Sequence, residues 1–153
     1  MDREKITSYP NPWNFSNGNN ELISLDGKNV IKYSDLGEVA MGAPLGGYCH
    51  WIDENGQETK LEKWFGGPAI WSSDGNKVAI PTWSRKLLKG TVQQITILDV
   101  TTRELTRYQK TFDVLDLRTF DKNIICGYDG PIYKTKTVTF NLNEEQIADR
   151  EKI

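Results

Sequence analysis

Turn chemistry recurs along this chain in two interleaved series, and that recurrence restricts the fold more than any other feature. Asp26, Asp74 and Asp121 each precede a short apolar run, at spacings of 48 and 47 residues. Asp53, Asp99 and Asn141 each close another run, at spacings of 46 and 42. Asp26-Gly27, Asn55-Gly56 and Asp74-Gly75 are dipeptides of tight hairpins, because such turns need positive φ and Gly, Asn and Asp adopt it at least cost. Residues 97–104 and 120–125 read as two further hairpins. Residues 94–98, 114–117 and 135–140 are β-rich, and the last run alternates, with Val138 and Phe140 on one face and Thr137 and Thr139 on the other. The pattern amounts to three units of roughly 45 residues, each a pair of hairpins. The expected fold is all-β: a single domain over residues 1–153, an antiparallel meander of about eight to ten strands forming a twisted sheet or sandwich.

Two segments depart from this rhythm. Residues 1–20 form an arm, because Pro10, Pro12 and a cluster of Asn and Gly break any regular element. Trp13 and Phe15 are expected to pin it to the body. At the other end, Asn143 followed by Glu144-Glu145-Gln146 has the form of a capping box. It predicts a short C-terminal α-helix running to about Glu151.

Residues 68–79 carry Trp71-Ser72-Ser73-Asp74-Gly75, then Lys77 and a short apolar strand. This segment resembles the blade motif of TolB-type and WD-repeat β-propellers, and residues 95–104 are similar to the next hairpin of such a blade. The resemblance covers about 45 residues. It implies a partial propeller-like arrangement as the alternative fold, with two copies supplying the blades of an oligomeric propeller, since a closed one has at least about four. It carries over no functional residue.

The apolar stretches are short, Val78-Ala79-Ile80 among them, so no helix is expected to span a membrane. The opening residues 1–5 lack the apolar core of a secretory signal, and a cytoplasmic location is expected. Cys49 and Cys126 are then expected to be reduced, buried thiols. Net charge is −2 but uneven: residues 20–66 hold eight acids and four bases, residues 67–112 three and seven, residues 113–153 eight and six. A basic middle third between two acidic ones can steer a charged partner.

Catalysis needs convergent groups with matched roles, and the chain is thin in them. His50 is the single histidine. Its neighbour Cys49 would point to the opposite face of a strand, which leaves the distant Cys126 as a conceivable nucleophile beside it. Asp113 and Asp116, at an odd spacing, would also lie on opposite faces, against a paired-carboxylate site. Residues 41–47 and 64–68 are Gly-rich, but no helix signal follows as a phosphate loop requires, so both read as connections between units. No catalytic residue, metal or cofactor is expected, and the chain is not expected to be an enzyme.

Binding remains. In general character, not in motif, the chain resembles bacterial immunity proteins of toxin–antitoxin pairs, including those of contact-dependent growth inhibition. That resemblance implies a protein partner, a toxin domain, covered one-to-one by a monomer of this chain. Nuclease toxins are often basic, so Asp53, Glu54, Glu58 and Glu62 are the acids expected to meet the partner, with Trp51 and Trp64 as anchors. The alternative is a single-stranded nucleic acid: Arg85, Lys86 and Lys89 would track phosphates while Trp83 stacks on a base. A pI near 5.5 weighs against it. No membrane partner is expected.

Overall fold

The computed structural model describes residues 10–132 and 134–153. Among them a single 3-10 turn, Asn20–Leu22, precedes eleven strands. These are β1 (Val30–Glu38), β2 (Leu45–Ile52), β3 (Glu58–Phe65), β4 (Ile70–Trp71), β5 (Lys77–Lys86), β6 (Gly90–Asp99), β7 (Glu104–Tyr108), β8 (Leu115–Asp121), β9 (Ile124–Asp129), β10 (Lys136–Asn141) and β11 (Ile147–Lys152). The all-β antiparallel meander is as expected: β1–β2–β3, β4–β5–β6–β7 and β8–β9–β10 each pair in sequence order. The first two groups belong to one sheet, joined through the pair Phe65↔Thr82.

Period-two alternation assigns the two faces of the middle group. Val78, Ile80, Leu98 and Leu105 pack against Ile31, Tyr33, Cys49, Trp51 and Leu61 of β1–β3. Ala79, Ile95, Ile97 and Tyr108 pack against Leu115, Leu117, Phe120, Ile125, Val138 and Phe140 of β8–β10. Burial on both faces explains why residues 78–80 and 95–98 read as continuous runs rather than as an alternation. Several polar groups inside these layers pair with one another, although Gln93 Nε2 and Asp116 Oδ1 do not. The Gln94 amide donates to the carbonyls of Tyr108 and Gln109, and the Thr82 and Thr96 hydroxyls bond to each other.

The two turn series gather at one end. Val30 lies opposite Ile52, Lys77 opposite Asp99 and Ile124 opposite Asn141, so the two turns of each unit are neighbours. Residues 24–29 and 72–77 form the same turn. In each, the serine hydroxyl donates to the aspartate at 2.6 Å and accepts the N–H five residues on, while the aspartate accepts the N–H two residues after itself. The latter bond recurs at Asp53, Asp99 and Asn141. Gly27 and Gly75 hold φ of 73° and 77°, which is why glycine follows the aspartate. The turns also touch, Ser73 donating through its hydroxyl to Asp121 and through its N–H to the Phe120 carbonyl. The repeat in sequence is thus a repeat of one hydrogen-bond set.

Those bonds, the serine hydroxyl's first, hold the Asp26 and Asp74 carboxyls below their ordinary pKa of 3.8. Because the folded value is depressed, the stabilisation is complete above the ordinary value and is lost as pH falls through the folded one. Hydrogen-exchange protection of the Lys28 and Asn76 amides should therefore hold down to about pH 4 and collapse below it. In Ser72→Ala the collapse at Asn76 should move to higher pH. No movement would show that the hydroxyl does not set the titration.

The C-terminal helix does not form. Asn141 rather than Asn143 makes the side-chain cap, the N–H groups of Glu144 and Glu145 close on the Asn141 carbonyl for one turn, and the chain then extends as β11. A short helix with Ile147 and Ala148 as its apolar positions is marginal in water. β7 instead offers an open edge, and β11 pairs along it from Ile147↔Tyr108 to Lys152↔Glu104. Arg107 and Asp149 form an ion pair across this ladder, and Lys63 approaches Asp149 from β3 at 3.7 Å.

The first nine residues of the expected arm lie outside the described residues. The rest is irregular and fastened: Phe15 is buried edge-on to Tyr33, and Asn17 bonds both the N–H and the carbonyl of Tyr33. Trp13 is half-buried and donates to the Gly42 carbonyl. Of the two Gly-rich stretches, residues 66–68 do connect units, whereas residues 41–44 link β1 to β2 within one.

Candidate protein-binding face

Cys49 and Trp51 point into the first core, so Tyr48 and His50 point outward from the same strand. The register Lys32↔His50↔Lys60 builds a continuous outer face across β1–β3. At its centre the Tyr48 and Trp64 rings meet edge to face, 5.0 Å between centroids at 85°, both half-buried. The Lys60 ammonium lies 4.4 Å over the Tyr48 ring. Beside them the Ser34 hydroxyl and His50 Nε2 are 2.9 Å apart, and His50 Nδ1 is 3.2 Å from the Glu58 carboxylate. That row has the atom order of an acyl-transfer triad. Its acid end is a close contact rather than an aligned hydrogen bond, since Nδ1 has no bond of acceptable geometry, so we read the row as a cross-strand polar set.

Gly46 brings two tryptophans together. A Cβ there would stand 2.6 Å from Trp64 Nε1 and 3.2 Å from Trp83 Cδ1. Trp83 is half-buried and its Nε1 donates to the Leu45 carbonyl at 3.3 Å. Trp64 and Trp83, which sequence reasoning assigned to different partners, are therefore neighbours on one surface, and much of the Trp83 ring is committed to packing rather than open for base stacking.

The other candidates divide among three places. Trp51 is 3% exposed, donates to Asn29 and is covered by the Arg103 guanidinium at 4.6 Å, so it offers a partner no anchor. Asp53 accepts the N–H groups of Asn55 and Gln57 and holds the β2–β3 turn. Exposed Glu54 stands 4.0 Å from Lys28. Both acids line a polar cleft of about 300 Å³ with Asp26, Asn76 and Arg103. Glu58 and Glu62 are exposed on β3 with Trp64. Arg85, Lys86 and Lys89 belong to the β5–β6 hairpin, and Lys89 donates to Thr111 at 3.1 Å.

The remaining titratable groups are scattered. His50 faces outward on β2 while Cys126 lies in the β8–β10 sheet; both thiols are free, and Cys126 is half-buried rather than buried. Burial pushes the Cys49 thiol well up. Asp113 is exposed, whereas Asp116 is fully buried beside Arg118 at 2.7 Å, and burial pushes its carboxyl up. Among the described residues no three His, Cys, Asp or Glu side chains converge as a metal site.

Sequence reasoning missed Tyr48 and Lys60. The signal was present: once Cys49 and Trp51 are taken as inward, the residues between and before them face out. No family model matches the chain, and no curated protein and no solved structure matches it either.

Proposed function

We propose that this chain is a protein-binding module that acts by covering its partner, as an immunity protein covers a cognate toxin domain, in a one-to-one complex. The observation that supports the reading is the half-buried Tyr48–Trp64 pair on an open sheet face, flanked by Lys60, Glu58 and Glu62. An aromatic centre within a charged rim is the composition of binding hot spots. Glu54, Glu58 and Glu62 favour a basic partner and would speed its approach.

The test uses the product of the adjoining reading frame. Calorimetric titration of the two purified proteins should give a one-to-one complex, and Trp64→Ala should weaken it about 30-fold or more. Gly46→Ala pushes on both indoles, its Cβ standing 2.6 Å from Trp64 Nε1, and should weaken binding by displacing Trp64 from Tyr48. If the neighbouring product does not bind and the tagged chain retrieves no protein from its host, the proposal is wrong.

A further inference from the structure

The far end of the molecule, opposite the gathered turns, carries apolar surface that the fold does not use. Past Thr82 and Gln93 neither β5 nor β6 has another ladder partner; Trp83 and Val92 still pack on the body, and the hairpin beyond them ends in an exposed tip. At its tip Leu87 is 92% and Leu88 100% exposed. Leu88 also holds φ of 74°, a conformation that Gly, Asn or Asp adopts more easily than a leucine. Two apolar side chains thus stand in water, one of them on unfavourable backbone, and neither contributes to a core. Such an outlier points to function rather than to folding.

The surroundings specify the partner's chemistry. Arg85, Lys86 and Lys89 flank the leucines, and residues 75–98 contain no Asp or Glu. The bond from Trp83 to Leu45 sets the β1–β2 loop beside the hairpin, and that loop exposes Met41 completely. Glu38, the acid nearest Met41 in sequence, accepts the Gly42 N–H. Neither leucine lines a hollow that could receive a protein side chain: the cleft beside Lys89, about 430 Å³, is walled by Gln109, Lys110, Thr111, Glu144 and Glu145. A bilayer surface needs no complementary shape: its acyl boundary takes the apolar groups while its phosphates take the bases.

We propose that this end docks on an anionic lipid surface, Leu87, Leu88 and Met41 entering the acyl boundary while Arg85, Lys86 and Lys89 meet lipid phosphates. No helix among the described residues is long and apolar enough to cross a membrane, and tip insertion requires none. The inference is independent of the partner proposed above.

The test is flotation of the full chain with vesicles of equal parts phosphatidylglycerol and phosphatidylcholine, and with vesicles of phosphatidylcholine alone. The chain should float with the first and not the second, and less as salt rises. The double variant Leu87→Ser, Leu88→Ser should lose about tenfold or more in affinity. The triple variant Arg85→Gln, Lys86→Gln, Lys89→Gln should lose a similar amount. Both should keep the wild-type circular dichroism, because Leu87 and Leu88 stand in solvent and the one bond lost with the bases, Lys89 to Thr111, is an exposed one. No flotation at low salt, or equal flotation of the leucine variant, overturns the inference. So does tight binding of a single-stranded oligonucleotide that survives loss of the leucines but not of the bases, which would mark a nucleic-acid site instead.

Discussion

Trp71→Ala should cost this fold about 4 kcal/mol, read as a lowered urea midpoint at an unchanged slope. Trp71 is 6% exposed within the first core, and its Nε1 donates to the Leu22 carbonyl at 2.9 Å. The truncation leaves a cavity the size of an indole and strips a buried carbonyl of its donor, and the two losses add. It also frees the segment ahead of β1, since Leu22 belongs to the 3-10 turn that this bond ties to β4. Against an ordinary domain stability of about 5–15 kcal/mol, such a loss leaves about 1–11 kcal/mol, and at the lower end a measurable fraction of the chain is unfolded. Trp71→Phe separates the causes: it keeps most of the volume, loses the hydrogen bond, and should cost about 1–2 kcal/mol. Equal losses in the two variants would mean that the bond rather than the packing holds the core closed.

Gly127→Ala should cost about 3 kcal/mol, although it adds a single methyl group. An added Cβ would lie 2.2 Å from the Asp116 carbonyl oxygen and 2.9 Å from the Leu117 Cα, which are backbone atoms of the paired strand. They move only if the β8–β9 ladder moves, and that ladder already shifts register between Leu117 and Thr119. Gly46→Ala is the comparison, because the same methyl there meets indole atoms of Trp64 and Trp83 rather than backbone. The two substitutions should differ by about 2 kcal/mol or more in chemical denaturation. A Gly127→Ala protein as stable as the parent would show that β8 and β9 are not held this close.

Most of the fold was legible because turn chemistry is local. Asp-Gly and Asn-Gly fix hairpins through interactions spanning about six residues, and these recur as the same bonds at 24–29 and 72–77. The C-terminal helix was misread because its competitor was not local. Nothing in residues 143–151 announces that β7, some 40 positions earlier, has an open edge to be covered. The site was legible in part. Glu58, Glu62 and Trp64 share β3, yet Trp51 turned inward and Asp53 was spent on a turn. Which tryptophan faces out depends on strand register, and the register is set by the packing of the whole layer. In residues 83–90 the sequence directs attention to the tryptophan and the bases; the exposure of Leu87 and Leu88 follows from the end of the β3–β5 ladder at Thr82, which no local pattern announces.

The pairing of β11 with β7 has a consequence for synthesis. Strands β1–β7 can pair as soon as Tyr108 has left the ribosome, but the last edge of their sheet is completed by residues translated some 40 positions later. During that interval the nascent chain presents an unprotected strand while the β8–β10 hairpins are still being made. At elongation rates of about 5–20 residues per second the exposure lasts a few seconds, longer than hairpin formation requires. Slow codons between positions 109 and 146 should therefore lower the yield of soluble protein more than the same codons placed earlier, although the amino-acid sequence is unchanged.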